Sequence, residues 1–463
     1  MSRKLFDIAV IGAGVVGAAI ARDLAGTSNS VVMLDAKNDI GEGTTKANTA
    51  ILHTGFDAKP GTLEAQLVAR GYHLLRQYCE RTRIGVRFTG AVLVAWDDEQ
   101  AQSLPSLQAR AVENGYEQTE VIPSEEVYAQ IPSLGPGVTG GLTVPGEAVI
   151  DAWSVPLALA TEAVERGTTF LREHRVTGVD VGDEYTTMHT DRGDVTARWV
   201  INAAGLGADA IDVMFGFDRI KVHPRKGELL VYDKLAAPLV NKIVLAAPSK
   251  LGKGVLISPT IFGNVMLGPT ADDMEDKSDT STTEDGFEFL LDKGRRIMPA
   301  LLAEEVTASY AGLRAAHNLS DYLIEVDADQ RYVIAAGIRS TGLTSAPAVA
   351  EYLVGLLADS GLDLTPRNDL PEPPIMPPLG EYQVRPFADD DLIAADPAYG
   401  EVVCFCERVT RGEIRDAIAS TIPPGSLQGL RRRTRAMNGR CQAFFCGAEV
   451  KKLYENLKES GNE

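Results

Sequence analysis

A glycine-rich turn near the start of the chain constrains its fold more than any other feature of the sequence. The apolar run 8–11 is typical of a strand buried on both faces, and it leads into a G-x-G-x-x-G turn and a helical segment. The glycines of this turn are Gly12, Gly14 and Gly17. They permit a tight bend and close approach of a pyrophosphate, and the N-terminus of the following helix favours phosphate. A second apolar run, 31–34, ends at Asp35, where an acid can bind a ribose hydroxyl, so the sequence predicts a dinucleotide-binding βαβ unit.

The same stretch has a competing interpretation as a secretory signal, because Arg3 and Lys4 precede an apolar run. Asp7 ahead of the run, Arg22 behind it and the glycine spacing favour the nucleotide turn instead. No other run approaches the roughly 18 to 20 apolar residues that a membrane helix needs. We therefore expect a cytoplasmic protein, with peripheral attachment at the inner face of the membrane as the alternative.

The length and the net charge of the chain limit the classes of protein to which it can belong. At 463 residues the chain is too long for one compact core, so we expect two or three domains. Apolar residues make up 44% and charged residues 24% of the chain, as in an ordinary globular enzyme. The net charge of −19 repels nucleic-acid phosphates, which argues against a nucleic-acid partner. The same charge means that an anionic substrate requires a local basic pocket.

Three later segments have the composition of a cleft that holds a flat cofactor. The loop 41–55 is rich in glycine and small hydroxyl residues. The strand-like run 197–205 closes on small residues, as a strand beside a dinucleotide turn does. The apolar run 332–338 turns through the glycine-rich segment 339–347 into a helical segment, which offers a second helix N-terminus to the cofactor.

Four of the five cysteines lie within the last sixty residues of the chain. They are Cys404, Cys406, Cys441 and Cys446, whereas Cys79 stands alone and is interpreted as an inert core residue. An odd, clustered set is unlike a secreted disulfide framework and indicates a metal site in a reducing compartment. Four thiolates are the usual ligands of a [2Fe-2S] cluster. We favour the cluster over zinc, the alternative, because zinc ribbons prefer longer C-x-x-C spacings at both ends.

Five arginines lie between or beside these cysteines. They are Arg431, Arg432, Arg433, Arg435 and Arg440. Because an oxidised cluster with four thiolates carries net negative charge, we interpret the arginines as compensating it and shifting its potential. The alternative interpretation is a basic face in contact with solvent.

These motifs resemble the catalytic subunit of anaerobic, FAD-dependent glycerol-3-phosphate dehydrogenases, which belong to the D-amino-acid-oxidase-like flavoproteins. The resemblance covers nearly the whole chain and includes the glycine turn with Asp35, the loop 44–55 and the segment 337–344. The tail 432–446 is similar to bacterioferritin-associated ferredoxin and is the most specific part. Residues 45–48 depart from the Gly-Arg-Asn-like step of the best-known members. Residues 60–65 are similar to L-2-hydroxyglutarate oxidases and dehydrogenases.

The resemblance implies tightly held FAD, with its isoalloxazine between two domains, and a [2Fe-2S] cluster on the four cysteines. It places these residues at the FAD: Gly12, Gly14, Val16, Gly17, Asp35, Thr44, Thr45, Lys46, Asn48, Ala50, Val176, Ala204, Gly205, Gly337, Arg339, Gly342, Leu343 and Thr344. For the base it implies His53 first and His223 second, the alternative for His53 being a structural hydrogen bond. Arg314 and Arg339 are expected to bind the substrate anion, with Lys226 as a third cation.

The implied reaction is oxidation of glycerol 3-phosphate to dihydroxyacetone phosphate, with electrons passed from FAD through the cluster to an acceptor. An L-2-hydroxyglutarate or other 2-hydroxy acid is the second candidate substrate, followed by another polyol phosphate or an amino acid. The expected acceptor is a protein or a membrane-associated quinone-reducing subunit, within an oligomer or a multi-subunit complex. The rival classes are an electron carrier without enzymatic activity and an oxidase whose cysteines bind zinc.

The expected fold is α/β. It combines a Rossmann-like FAD-binding domain, an interleaved mixed-sheet substrate domain and a small α-rich iron–sulfur domain at the C-terminus. The expected boundaries are 1–85, 145–215 and 320–362 for the FAD-binding domain, 86–144 and 216–319 for the substrate domain, 363–400 for a proline-rich linker and 401–463 for the [2Fe-2S] domain.

Overall fold

Two large sheets dominate the computed structural model, which describes residues 4–248 and 254–460. In that part of the chain, the strands of the first sheet are Leu5–Ile11, Val31–Leu34, Thr169–Leu171, Val176–Val181, Thr186–Thr190, Val195–Asn202, Leu323–Asp327 and Tyr332–Ala336. Those of the second are Ala91–Ala95, Glu120–Pro123, Gly140–Val144, Val222–Tyr232, Ile243–Ala246, Leu256–Pro259, Val265–Gly268, Asp272–Asp273 and Val306–His317. The α-helices are Val15–Leu24, Leu63–Thr82, Asp98–Glu113, Ser124–Gln130, Ser154–Glu165, Ala208–Met214, Glu284–Ile297, Gly342–Asp359, Asp390–Ala395, Arg411–Ala419, Leu427–Thr434 and Gly447–Ser460.

The first sheet carries the glycine turn on a central strand. Leu5–Ile11 lies between Val31–Leu34 and Val195–Asn202 and runs parallel to both. All four residues of Val31–Leu34 are buried, which explains an apolar run without alternation. The helices Val15–Leu24 and Gly342–Asp359 pack together over one face of this sheet, in the largest apolar core of the described chain. These features confirm the predicted Rossmann-like domain.

The second sheet is mixed, as the sequence predicts. Ala91–Ala95 pairs in parallel with Ile243–Ala246 and antiparallel with Gly140–Val144. Val222–Tyr232 pairs antiparallel with Val306–His317 along nearly its whole length. This long pair brings Arg314 to the side of the sheet that faces the glycine turn.

The proline-rich segment lies on the protein surface and is not a free spacer. Pro366 forms a bridge with Thr27, and the backbone N–H of Met376 donates to the carbonyl of Thr82 over 2.8 Å. Further along, the N–H of Glu381 donates to the carbonyl of Ile261. The segment therefore holds the C-terminal part of the chain against both preceding sheets.

The C-terminal part is a small helical unit. It contains the strand pair Val402–Cys404 and Val409–Thr410 and the helices Arg411–Ala419, Leu427–Thr434 and Gly447–Ser460. The helix Arg411–Ala419 begins with a capping box, in which Thr410 and Glu413 satisfy each other's backbone N–H groups. No helix in the described part of the chain combines the length and the apolar character that a membrane crossing requires.

Candidate active site and cysteine centre

A cavity of about 860 Å³ runs from the glycine turn of the first sheet to the underside of the second. Gly12 and Asp35 line one part of it, and Leu93, Leu245 and Arg314 line another. This volume lies within the range of ligand and cofactor sites. The cavity therefore connects the predicted dinucleotide turn with a second region that can hold a substrate.

The glycine turn is built so tightly that it excludes side chains. Gly12 has a φ of +110°, and a Cβ there would lie 2.4 Å from the carbonyl oxygen of Ala203. A Cβ on Gly17 would lie 1.9 Å from the carbonyl oxygen of Gly12, where the helix closes on the strand. The turn therefore presents bare backbone to the cavity, which is the arrangement that admits a pyrophosphate.

The carboxylate of Asp35 lies beside this turn. It accepts hydrogen bonds from the backbone N–H groups of Ala13, over 2.7 Å, and Lys37, over 2.8 Å. Burial raises the pKa of Asp35, and these two N–H groups act in the opposite direction. With the glycine turn and the helix N-terminus, this acid fits the adenosine half of FAD.

Most of the residues predicted to contact FAD line the cavity. They are Gly12, Gly14, Val16, Asp35, Thr44, Thr45, Lys46, Asn48, Val176, Ala204, Gly205, Gly337, Arg339, Gly342 and Leu343. Gly17, Ala50 and Thr344 lie outside this lining. Gly17 contacts the turn from behind, and the Thr344 hydroxyl accepts a hydrogen bond from the His53 N–H, so both support the lining indirectly.

His53 lines the cavity and is held by a buried carboxylate that the sequence did not reveal. Its Nδ1 lies 3.0 Å from Oε2 of Glu147, whose side chain is 0% exposed. Glu147 also accepts hydrogen bonds from the backbone N–H and the hydroxyl of Thr54. The strand Ile51–Leu52 pairs antiparallel with Ala148–Ile150, and this register places His53 opposite Glu147. No local pattern around residue 147 indicates this pairing.

Arg314 supplies positive charge to the cavity. Its guanidinium donates to the backbone carbonyls of Arg225, Lys226 and Thr270, the shortest bond reaching the oxygen of Thr270 over 2.6 Å. Among the described residues no carboxylate forms an ion pair with it, and burial lowers its pKa from the ordinary value. Arg339 also lines the cavity, but its guanidinium lies 3.0 Å from the carboxylate of Glu64. The charge of Arg314 is therefore neutralised less than that of Arg339 and is more available to a ligand.

Two other predicted catalytic residues lie away from the cavity lining. His223 is half-exposed beside Asp273, with its Nε2 3.5 Å from the carboxylate. The ammonium group of Lys226 is buried and lies 3.1 Å from Asp279 and 4.0 Å from Glu228. The structure does not bring either side chain together with His53 and Arg314.

The four clustered cysteines converge from two loops. Cys404 ends the strand Val402–Cys404 and Cys406 follows it, and Cys441 and Cys446 precede the last helix of the described chain. The Cys406 thiol is hydrogen-bonded with Cys441, and the Cys446 thiol with Cys404. Within residues 4–248 and 254–460, no three His, Cys, Asp or Glu side chains are placed to hold a single metal ion. The four thiols form two hydrogen-bonded pairs, and four thiolates are the usual ligands of a [2Fe-2S] cluster.

Backbone N–H groups point at these sulfurs. Burial acts to raise the pKa of the Cys441 thiol, but the N–H of Phe445, the hydrogen bond with Cys406 and the N–H groups of Ala443 and Phe444 outweigh it and lower the pKa. Burial raises the pKa of the Cys446 thiol to about 12, opposed by the N–H of Met437. N–H donors to sulfur are among the features that set a cluster's reduction potential.

Four of the five arginines near the cysteines join the C-terminal domain to the rest of the chain. Arg433 makes two bonds of 2.7 Å to the carboxylate of Asp39, and Arg432 pairs with Glu42. Arg440 reaches Asp233 and Glu305 of the second sheet's domain, and Arg435 pairs with Glu407 and donates to Asn264. These four arginines therefore pair with side chains of the protein, and compensation of the cluster's charge stays a prediction. Arg431 alone among the five has no carboxylate partner within the described chain.

Models of known protein families match both the part of the chain that contains the cavity and the part that contains the four cysteines. The model of the family "FAD dependent oxidoreductase" matches residues 7–356, and that of the "BFD-like [2Fe-2S] binding domain" matches residues 402–456. The chain belongs to the FAD dependent oxidoreductase family. It is an FAD-dependent oxidoreductase with a C-terminal [2Fe-2S] domain, which confirms the predicted cofactors.

Three known proteins are similar to this chain over most of its length. A glycerol 3-phosphate dehydrogenase of Caloramator mitchellensis is 34% identical over 96% of this chain and 93% of its own length. The structure of L-alpha-glycerophosphate oxidase from Mycoplasma pneumoniae with FAD bound superposes with a TM-score of 0.76, at 27% identity, over 81% of this chain and 99% of that one. An L-2-hydroxyglutarate dehydrogenase of Arabidopsis thaliana is 26% identical over 76% of this chain and 83% of its own.

Proposed function

We propose that the protein oxidises glycerol 3-phosphate to dihydroxyacetone phosphate and passes the electrons from FAD through its [2Fe-2S] cluster to an acceptor. The observation that carries this proposal is one cavity that joins the dinucleotide turn to Arg314 and His53. The names of the relatives from Caloramator and Mycoplasma support the choice of substrate. Bound FAD accepts a hydride, and the cluster passes on single electrons.

Arg314 is proposed to bind the phosphate of the substrate. A guanidinium presents a planar fork of N–H donors that matches phosphate oxygens. Arg314 is anchored by the carbonyls of Thr270, Lys226 and Arg225, so its orientation is fixed before a ligand arrives. Arg339 is proposed as a second cation, although Glu64 already neutralises part of its charge.

His53 is proposed to take the proton of the reacting hydroxyl. With Glu147 ionised, the Nδ1 of His53 carries its hydrogen and donates to the carboxylate, which leaves Nε2 as the proton acceptor. The carboxylate also stabilises the positive charge that the imidazole gains when it accepts the proton. Glu147 thereby holds the tautomer and orientation that the reaction requires.

The C-terminal domain is proposed to deliver electrons to a protein acceptor. Phe405, Phe444 and Phe445 lie next to the cysteines in sequence and are 73%, 83% and 75% exposed. Exposed aromatic side chains of this kind are typical of contact surfaces between proteins. Their position on the two cysteine loops supports an acceptor that approaches the cluster directly. We further propose that the segments 1–85, 145–215 and 320–362 bind FAD and that the segments 86–144 and 216–319 bind the substrate. The segment 363–400 links these domains to 401–463, which relays the electrons.

The substrate is tested by anaerobic titration of the purified holoenzyme, followed by flavin absorbance. Glycerol 3-phosphate is expected to bleach the flavin, whereas L-2-hydroxyglutarate at the same concentration is expected to leave it oxidised. Bleaching by L-2-hydroxyglutarate alone would move the protein to the second candidate substrate. An oxidised flavin with both would reject the two substrates while leaving the cofactors in place.

A further inference from the structure

An aromatic stack lies where three parts of the chain meet. Trp153 immediately precedes the helix Ser154–Glu165, and Phe262 lies in the turn between two strands of the second sheet. Their rings are stacked, with centroids 5.2 Å apart and an interplanar angle of 25°. The guanidinium carbon of Arg435, from the C-terminal domain, lies 4.2 Å from the centroid of Phe262 and 5.8 Å from that of Trp153. We call these three side chains the junction stack.

One end of the junction stack contacts the wall of the cofactor cavity. The Nε1–H of Trp153 donates to the carbonyl of Lys46 over 3.0 Å. Lys46 lines the cavity and ends the short helix Thr44–Lys46. Trp153 is not part of the lining, so it supports the loop from outside and leaves the cofactor's space clear.

The other end contacts both cysteine loops. The Nε–H of Arg435 donates to the carboxylate of Glu407 over 3.1 Å, and Glu407 directly follows Cys406 in the chain. Two residues beyond Arg435, the backbone N–H of Met437 donates to the thiol of Cys446. Arg435 is 5% exposed and has a φ of +71°, so its position at the end of its helix is tightly defined. The junction stack is thus linked to the predicted cluster ligands through Glu407, which is next to Cys406, and through Met437, which is hydrogen-bonded to Cys446.

The contact is closely packed. Phe262 forms a small buried cluster with Ile261 and Leu379, against which Trp153 packs. These residues come from the first sheet's domain, the second sheet's domain and the proline-rich segment. Electron tunnelling between two centres weakens steeply with distance and more steeply across gaps than through packed atoms. A filled junction therefore couples the two centres better than a hydrated one, and it also fixes their separation.

We propose that the junction stack fixes the distance between FAD and the [2Fe-2S] cluster and forms the packed path between them. This inference rests on the FAD-to-cluster relay of the proposed function and adds the residues that hold it. In each transfer one electron leaves reduced FAD and reduces one ferric ion of the cluster to ferrous. A one-electron protein acceptor then reoxidises the cluster, and two such cycles return FAD to its oxidised form and release its proton to solvent. Trp153, Phe262 and Arg435 are positioning residues, because none touches a reacting atom.

The test measures electron transfer inside the holoenzyme without any substrate. A light pulse in the presence of EDTA reduces the bound flavin, and the cluster's absorbance and EPR signal then report the arrival of the electron. We expect Phe262→Leu to slow this transfer about ten- to a hundredfold, the scale of losses when reacting centres are misplaced by about an ångström. FAD content, iron content and the midpoint potential of the cluster are expected to remain those of the unmodified protein, because no ligand is changed.

The chain offers a matched control in a second stack of the same kind. The guanidinium carbon of Arg219 lies 4.1 Å from the centroid of Phe217, which stacks on Tyr332 at 5.8 Å. Phe217→Leu removes a comparable ring away from the junction and is expected to leave the transfer rate unchanged. Trp153→Phe keeps a stacked ring but loses the hydrogen bond to Lys46, and we expect it to retain most of the rate.

Three results would overturn the inference. They are an unchanged rate in Phe262→Leu, an equal loss in Phe217→Leu, or a loss in Phe262→Leu that follows a shifted cluster potential. The outcome does not depend on the substrate. If glycerol 3-phosphate fails to reduce the flavin while light-driven transfer still slows in Phe262→Leu, the substrate proposal fails and the junction stack stands.

Discussion

The cofactor cleft and the cysteine centre differ in what holds them together. The walls of the cleft belong to sheets and helices with many fully buried apolar residues, such as Ile8, Leu34 and Ala346. The C-terminal domain has a small core, and two of its members are the predicted cluster ligands Cys404 and Cys446. The cleft is therefore formed by packing before FAD binds, whereas the cysteine centre needs its cluster for part of its stability.

This difference predicts opposite responses to loss of a cofactor, and the largest effect is expected at the cysteine centre. Cys446→Ser removes a buried ligand, and we expect loss of the [2Fe-2S] cluster and of protease resistance in residues 402–456. FAD content and flavin reduction by substrate are expected to persist. Iron analysis, limited proteolysis and flavin absorbance measure these outcomes. Cys79→Ser is the control, since Cys79 is equally buried but lies in the flavin domain.

The account of the cysteine centre would be contradicted by a Cys446→Ser protein that keeps its iron. It would be contradicted equally by a protein that loses iron yet remains as protease-resistant as the unmodified chain. Acid precipitation of the protein, which leaves FAD in solution, followed by refolding provides the reciprocal test, in which the flavin domain is expected to regain its fold.

The next largest effect is expected inside the cleft. His53→Asn removes the proposed base and is expected to slow flavin reduction about 10²- to 10⁴-fold, the usual contribution of general base catalysis. Glu147→Gln is expected to slow it less and to change its pH profile, whereas Glu147→Asp restores part of the rate. Stopped-flow flavin absorbance measures these rates. A pH profile unchanged in Glu147→Gln would show that Glu147 is only structural.

The contact between the two regions is expected to lose stability when its buried ion pair is broken. Arg433 is 6% exposed and its partner Asp39 is fully buried. Arg433→Met removes the two 2.7 Å bonds to this buried carboxylate, while Arg432 stays 4.0 Å away, and we expect a cost of about 3–5 kcal/mol. Hydrogen exchange in residues 402–456 is expected to accelerate, while exchange in the helix Val15–Leu24 stays slow. Equal acceleration in both regions would mean that the two domains unfold as one unit.

The same ion pair predicts how this contact responds to pH. Burial acts to raise the pKa of Asp39, but the Arg433 guanidinium outweighs it and holds that pKa below its ordinary value of 3.8. A depressed carboxyl pKa stabilises the folded state above the unfolded pKa, and this stability is lost as the pH falls through the folded pKa. We therefore expect the contact to be unaffected by pH between about 5 and 8 and to weaken below about pH 4. Hydrogen exchange corrected for its intrinsic pH dependence measures this.

The smallest effect is expected for substrate affinity. Arg314→Met removes charged hydrogen bonds worth about 1.5–3 kcal/mol, so KM for glycerol 3-phosphate is expected to rise roughly 10- to 150-fold. Arg314→Lys keeps the charge but loses the planar fork and is expected to fall in between. Steady-state kinetics with an artificial acceptor measures KM. A lowered kcat with an unchanged KM would mean that Arg314 acts on the reaction and not on binding.

The sequence could predict those features of the cleft and of the cysteine centre that arise from local patterns in the chain. The glycine turn, Asp35 and the closing strand are local patterns that backbone geometry imposes, and the structure confirms the fold that they predict. The cysteine spacing predicts the second cofactor, because the four predicted ligands of one cluster lie in two short segments. Both signals are local in the chain.

Features that depend on contacts between distant segments could not be predicted. Glu147 is recognised only when the strand pairing brings it beside His53. The role of Arg433 depends on Asp39, nearly 400 residues earlier, so a basic run near cysteines was interpreted as compensating the cluster. His223 and Lys226 are predicted by residue type, and in the folded chain their side chains lie beside Asp273 and Asp279, away from the cavity lining.

One measurement tests most directly the claim that the cleft feeds the cluster. The anaerobic holoenzyme is mixed with glycerol 3-phosphate, flavin absorbance is followed in time, and samples are frozen for EPR. The account predicts that the flavin bleaches first and that the signal of a reduced [2Fe-2S] cluster follows. The account would be contradicted if the flavin bleaches while the cluster stays oxidised, and if dithionite in a separate sample shows that the same cluster can be reduced.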